Sequence, residues 1–298
     1  MKHLFIINPA AGTYDHTHEF AEKIKAVMGD KDYTIHTSRG PGDCTAAARK
    51  AGESGEAVRI YACGGDGTLN EVVNGAAGFS NVAVTHYPGG SGNDFIKIFS
   101  DPKKFFDLEA LQDPEERTFD LIEAADTLCL DICSMGFDAR IGTEIGKYKR
   151  LPLVSGSGAY KISVVANLIK GVHHHYRLEL DGQELDGRFS MICVCNGRFY
   201  GGGFQPVPEA MPDDGKLEVL LTKAVSRLKV AGIVGKYQKG QYRDFPELFT
   251  RYSTDRVVVH CDKEEVINLD GEARYGQDVE IRLSDKKLRF FYPKGLTY

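Results

Sequence analysis

The stretch YACGGDGTLNEVVNG, residues 61–75, holds the residue types and spacing most suggestive of chemistry. A short apolar run, Val58 to Ala62, meets Gly64 and Gly65, and a helical pattern begins at about Thr68. Strand, glycine turn and helix start together make an anion site, because unpaired backbone N–H groups and the positive end of the helix dipole point outward. Asp66 stands at the tip of this turn, and the lysine of a P-loop is missing. A carboxylate here either handles a cation or caps the N–H groups of its own helix.

The elements that must position this turn are legible around it. Apolar runs HLFIIN, YTIHTS, VRIYACGG and VAVTHYPGG alternate with helical patterns near His16 to Met28, near Gly42 to Glu53, from Thr68 and from about Ser91. Four successive strand-then-helix units predict an α/β fold with a doubly wound parallel sheet. Ligands on such sheets bind outside the carboxyl ends of the strands. Those ends carry NPAAG, TSRGPGD, GGDGT and PGGSGND, all polar or glycine-rich. After LQDPEER the rhythm shifts to many short strands with DG turns, interrupted by helical stretches at Phe137 to Lys170 and Arg227 to Gly240. That pattern predicts a β-sandwich-like second domain. The expected division is 1–122 and 123–298, with a return of the last strand to the first domain left open. The cleft between two domains is the default ligand site.

Composition narrows the function classes. The chain has 298 residues, 42% apolar and 27% charged, which suits about two globular domains. A net charge of −5 gives no overall attraction to nucleic acid. Seven scattered cysteines with no CxxC pair suit a reducing cytosol, and Cys193 and Cys195 read as buried thiols on one strand face. The N-terminal apolar run is too short for a signal peptide. Pro152, Lys161 and Lys170 interrupt the longest candidate span, so a cytoplasmic protein is expected.

The motifs then carry a resemblance. NPAAG, GGDGTLNEVVNG, PGGSGNDF, NGRFYGGG, DDGKLEV and LDGE, in this order, resemble the diacylglycerol kinase catalytic family, which includes soluble bacterial lipid kinases and is related to sphingosine and ceramide kinases. The family's glycine-threonine in the third loop stands here as Gly90-Ser91, which keeps the hydroxyl. The resemblance implies a nucleotide-binding domain of the type shared with NAD kinases, a β-rich acceptor domain, and phosphoryl transfer from ATP to a lipid alcohol such as diacylglycerol.

On that reading the Asp66 question has an answer. Without a P-loop lysine, ATP phosphates are neutralised mainly by Mg²⁺, which needs oxygen ligands. The resemblance makes Asp66 catalytic, holding Mg²⁺ directly or through water. It places a metal at Asp214 with the main-chain carbonyls of Met211 and Lys216, and a general base at Glu272. Nucleotide contacts fall to Asn8, Thr37, Gly64, Gly65, Gly67, Thr68, Asn70, Glu71 and Ser91. Asn93, Asp94 and Asp138 face the acceptor. A plainer role stands beside several of these: an Asx turn for Asn8, a simple turn for Asp214, solvated side chains for Asn70, Glu71 and Glu272.

Three features lie outside the motifs. HHH at 173–175 invites a metal, but successive strand side chains alternate faces, so a solvated edge is the expectation. SGAYKISVVANLIKG reads as a buried helix, with a lipid-chain pocket lined by Tyr160, Val164 and Leu168 as the sharper alternative. Lys147, Lys149 and Arg150, with Leu151 and Leu153 directly after them, are the expected site of transient peripheral membrane contact. A homodimer stays open. The rival functions are a kinase with another acceptor (a sphingoid base, a phosphatidylglycerol-type lipid or NAD) and a non-catalytic lipid-binding protein.

Overall fold

The computed structural model describes residues 1–12, 14–149, 167 and 172–298. Arg150, Leu151, Leu153, Tyr160, Val164 and Leu168 lie outside them, as do the side chains of Lys147 and Lys149. The chain divides into two compact units: Met1–Leu121 with Leu128–Leu130 and Ser284–Tyr298, and Ile122–Thr127 with Asp131–Leu283.

In the first unit β1 (Lys2–Ile7), β2 (Tyr33–Thr37), β3 (Val58–Gly64) and β4 (Val82–Pro88) pair in parallel. The crossovers are α1 (Thr17–Met28), α2 (Asp43–Glu53) and α3 (Asp66–Ala76). β5 (Pro114–Phe119) and β15 (Leu288–Pro293) complete a sheet of order β2-β1-β3-β4-β15-β5, with β15 parallel to β4 and antiparallel to β5. β4 is buried along its whole length. A parallel strand covered on both faces reads as a near-continuous apolar run for this reason.

The helix expected from Ser91 does not form. Three short 3₁₀ segments, Phe95–Ile98, Pro102–Phe106 and Ala110–Gln112, take its place. Gly89, Gly90 and Gly92 weaken a helical start, and Pro102 breaks its continuation. Packing decides the rest. Phe95, Phe99 and Phe105 turn into one aromatic cluster, with ring centroids 5.2 Å apart for Phe95 and Phe290 and 5.1 Å for Phe99 and Phe105. Each ring buries apolar area and gains ring-to-ring contact, which outweighs helix propensity. α3 also begins at Asp66, earlier than the pattern suggested.

The second unit holds β6 (Ile122–Ala124), β8 (Ile132–Gly136), β9 (His174–Leu180), β10 (Gln183–Cys195), β11 (Leu217–Lys223), β12 (Phe249–Thr254), β13 (Arg256–Leu269) and β14 (Glu272–Leu283). β7 (Thr127–Cys129) crosses from the second unit to the first. Together they order as β12-β11-β10-β8-β13-β14-β6-β7, with β9 pairing both β10 and β13. The two long strands manage this by bending: register shifts lie between Phe189 and Met191 in β10 and between His260 and Glu265 in β13. An extra residue on one strand kinks it and re-aims the remainder of that strand. The described helices of this unit are α4 (Phe137–Lys149) and α5 (Arg227–Gln238).

β9 is interior over Tyr176–Leu180, where it pairs with both β10 and β13, while His174 and His175 at its start pair with β10 alone and His173 precedes the strand. Its histidines do not converge. His174 pairs with the buried Glu265, while the more exposed His175 lies 2.6 Å from Asp186. All seven cysteines are buried and unbonded, with Cys193 and Cys195 Sγ atoms 3.6 Å apart. Among the described residues no helix is long and apolar enough to cross a membrane.

One clamp ties the Leu128 segment to α3. Asn74 Nδ2 donates to the Leu128 carbonyl at 2.8 Å, and Leu128 N–H donates to Asn74 Oδ1 at 2.9 Å. Asn74→Ala removes both bonds and leaves the Leu128 N–H unpaired, while Asn70 still donates to the carbonyl; the cost should be about 1–3 kcal/mol, the range for an unpaired buried polar group. Urea denaturation is the check; an unchanged midpoint would remove the clamp from the account.

Candidate active site

The first unit gathers its glycine loops by backbone contact. Gly89 N–H donates to the Gly64 carbonyl at 2.7 Å, which docks the end of β4 onto the end of β3. A Cβ at Gly90 would stand 2.4 Å from Gly65 Cα, so only glycine permits this approach. His86, wholly buried in β4, lies 2.8 Å through Nε2 from the same Gly64 carbonyl. Burial holds its imidazole below the usual value, against the opposing pull of Asp66, the Gly64 carbonyl and Asp94. A neutral ring at this distance from a carbonyl carries its proton on Nε2.

Asp66 sits where these loops meet. It is the first residue of α3, directly after Gly65 at the N-cap. Its carboxylate accepts the N–H of Asn93 at 2.8 Å through Oδ2 and that of Asp94 at 2.5 Å through Oδ1. Charge-assisted bonds of this kind are about twice as strong as neutral ones. Gly92 allows the arrangement, because a Cβ there would meet Asp66 Oδ2 at 2.4 Å. Asn93 closes the loop on itself: Nδ2 donates to the Gly90 carbonyl at 2.9 Å, and Gly90 N–H donates to Oδ1 at 3.2 Å. Its φ of +50° is a conformation asparagine tolerates. The buried Asp94 also meets Lys97 Nζ at 2.5 Å.

The remaining first-unit residues divide by what they touch. Asn8, past the end of β1, donates from Nδ2 to Thr68 Oγ1 at 3.1 Å and accepts the Ala10 N–H at 3.0 Å. The Asx turn and the bridge to α3 thus coexist. Ser91, Gly67 and Thr37 are exposed at the carboxyl end of the sheet. Asn70 and Glu71 are not the solvated side chains that their helix position suggested. Asn70 is buried and donates to the Leu128 carbonyl at 3.2 Å. Glu71 Oε2 accepts N–H groups of Gly42 at 3.0 Å and Cys44 at 3.2 Å, satisfying the start of α2.

Asp138, Asp214 and Glu272 belong to the second unit. Glu272 is exposed and opens β14 directly after a two-residue turn, Asp270-Gly271, with φ of +51° and +95°. That turn is held from the side: Asp270 Oδ1 accepts N–H groups of Asp131 at 3.1 Å and Ile132 at 2.9 Å, and Gly271 N–H donates to Asn268 Oδ1 at 2.8 Å. Glu272 therefore leaves a rigid support. Asp214 Oδ1 accepts the Lys216 N–H at 3.0 Å in an exposed turn through Gly215, φ +76°. Arg198 anchors the preceding segment through the Ala210 carbonyl at 2.7 Å and the Met211 sulfur at 2.6 Å. Asp138 lies in the first turn of α4. Burial pushes its carboxyl up to about 6, opposed by the hydroxyls of Tyr200 and Ser134. Among the described residues no three His, Cys, Asp or Glu side chains cluster as metal ligands.

His86, Gly92 and Asn74 carry much of this geometry and were not singled out by sequence. Gly92 had a signal, since a glycine directly before an Asn-Asp pair suggests a close approach. His86 had none, being one polar residue inside an apolar strand.

Similarity to known proteins bears on the family and the fold. A family model for the diacylglycerol kinase catalytic domain matches residues 2–124, and one for the YegS C-terminal NAD kinase beta sandwich-like domain matches 131–291. A Staphylococcus carnosus protein provisionally named a lipid kinase is 25% identical over 235 residues, 78% of this chain and 76% of that one. A YegS-like Pseudomonas aeruginosa protein, provisionally named a lipid kinase, is 27% identical over 266 residues, 89% of this chain and 86% of that one. In fold, the chain is similar to a Bacillus anthracis protein provisionally named a diacylglycerol kinase. The TM-score is 0.79 at 21% identity, covering 99% of this chain and 98% of that one. The two domain matches, in order and nearly end to end, place the chain in the diacylglycerol kinase catalytic-domain family with a YegS-type β-sandwich-like second domain.

Proposed function

We propose that the chain transfers the γ-phosphoryl group of ATP to the hydroxyl of a lipid alcohol, diacylglycerol or a close relative, with Mg²⁺. The observation that carries this reading is the latch of Asp66 onto the Asn93 and Asp94 N–H groups, which fixes two glycine loops beside the α3 N-terminus. A helix start binds phosphate through its unpaired N–H groups. The latch holds one carboxylate next to that position at no later cost in reorganisation.

The donors suit the metal that such a nucleotide brings. Asp214 and the carbonyls of Met211 and Lys216 offer oxygen alone, and Mg²⁺ takes oxygen ligands and keeps several waters. When bound, the ion neutralises phosphate charge. The chain's own residues do the rest. The loops orient the phosphates, and Glu272 accepts the proton of the acceptor hydroxyl as its oxygen bonds to the γ-phosphorus and ADP departs. An acceptor that lives in a bilayer requires the enzyme to work at a membrane surface. A non-catalytic lipid-binding role needs none of Asp66, Asp214 or Glu272.

The direct test is incubation with radiolabelled ATP, a mixed lipid extract and NAD, then mass spectrometry of the labelled product. A labelled phospholipid is expected; label found only on NAD would place the acceptor in the soluble class.

Three variants and one control probe the parts separately. Glu272→Gln should leave the KM for ATP within about threefold while lowering kcat roughly 10²–10⁴-fold, the share of a general base. A kcat within about threefold of wild type removes Glu272 from that role. Gly92→Ala pushes a methyl against Asp66 and should cost at least roughly tenfold in kcat/KM, since bonds to a charged group contribute about 1.5–3 kcal/mol each. Gly187→Ala, which meets nothing closer than 3.8 Å, is its control. Mg²⁺ without nucleotide should raise Tm of the wild type but not of Asp214→Asn, because a ligand of the folded state stabilises by mass action. Equal shifts in the two proteins would move the metal elsewhere.

A further inference from the structure

We infer that the outer face of α5 is a docking surface for an anionic phospholipid bilayer; this rests on the lipid-acceptor reading above. The helix buries one side only, through Val230, Ile233 and Tyr237 at spacings of three and four. Ile233 and Tyr237 enter the core with Cys193, Phe204 and Phe249, and Val230 packs with Phe137 and Val225. The opposite side presents Leu228, Gly232 and Gly235, all exposed, with Leu228 at 87%. Val234 is exposed at the margin. The polar residues exposed on the helix, Arg227, Lys229, Lys236 and Gln238, flank this line of Leu228, Gly232 and Gly235 on either side.

Charge says what covers it. From Lys223 to Arg243 the chain carries six basic residues (Lys223, Arg227, Lys229, Lys236, Lys239, Arg243) and no acidic one, within a protein of net charge −5. Asp244 and Glu247, just beyond, lie 3.1 Å from Lys236 and 3.7 Å from Lys229, and Glu209 lies 2.7 Å from Arg243. Part of the charge is therefore already answered at the surface. Lys223 and Lys239, exposed on either side of the helix in the chain, suit phosphate headgroups. The glycines at 232 and 235 meet nothing within 4 Å and let the helix backbone approach a flat boundary, while Leu228 reaches beyond it. A single leucine among flanking cations suits shallow contact with a charged boundary, whereas a groove-filling helix needs large side chains at successive turns. Each basic residue near an anionic surface strengthens binding by roughly fivefold.

The test is flotation of the full chain with vesicles of phosphatidylglycerol and phosphatidylcholine, or of phosphatidylcholine alone. Wild type should float with the anionic vesicles and be released by salt. Leu228→Glu, at a position open to solvent, should lower the bound fraction at least about fivefold with an unchanged far-ultraviolet spectrum. Lys223→Gln with Lys239→Gln should weaken binding to anionic vesicles and not to neutral ones. Phosphorylation of a short-chain, water-soluble acceptor should persist in all these variants. Loss of that activity in wild type as well would sink the kinase reading instead. Equal flotation of wild type and Leu228→Glu, or no flotation of wild type, overturns the docking surface. So does a dimer that Leu228→Glu dissociates without changing flotation, which would make the face an interface between copies.

Discussion

Two backbone N–H groups donating to one carboxylate hold the first unit in order. Asp66 belongs to the turn after β3, and its donors, Asn93 and Asp94, belong to the turn after β4. Parallel strands deliver their turns to one edge, but strand pairing alone does not fix how neighbouring turns meet. The latch does, with Gly89 on Gly64 behind it and His86 beneath. Phe95, directly after Asp94, then roots the second turn in the aromatic cluster over β15. The carboxylate thus takes its orientation from main-chain groups, which side-chain rotation cannot undo.

The second unit solves the same problem differently. Its reactive candidates sit on tight turns braced by neighbouring side chains. Asp270 and Asn268 brace the hairpin that carries Glu272, and Asp214 braces its own turn through Lys216 N–H. Short positive-φ turns suit this task because they are stiff and place the next residue at a defined angle. The polar pair Tyr200 and Tyr237, with hydroxyls 3.0 Å apart, meets Asp138 in the interior of the unit.

Legibility in the sequence has a physical boundary. Gly64, Gly65 and Asp66 were legible because few other residues can make a turn that admits an anion. The DG turns at Asp181 and Asp270 were legible because their left-handed conformations demand such residues. The latch was hidden, since its donors are backbone groups of residues distant in sequence. The plainer alternative for Asn70 and Glu71, polar side chains on a helix left to solvent, misses that they satisfy backbone groups of neighbouring segments. The fourth helix failed because Phe95, Phe99 and Phe105 gain more from one another than from helical spacing. The bends in β10 and β13 leave no sequence mark, yet they decide that β9 is interior over Tyr176–Leu180.

The position of β15 has a consequence for synthesis. It lies between β4 and β5, yet the whole second unit is translated between β5 and it. During elongation β4 ends as an open edge, and β5 has no neighbour to pair with. Domains usually fold in order of emergence, at about 5–20 residues per second. Here the later-made unit can complete its sheet first, while the earlier one waits for Leu288–Pro293. For that interval a nascent chain displays an unpaired, mostly apolar parallel strand, the kind of edge that recruits other strands. The aromatic residues Phe290, Phe291 and Tyr292, which finally cover it, close the first unit's core only after the second unit has been made.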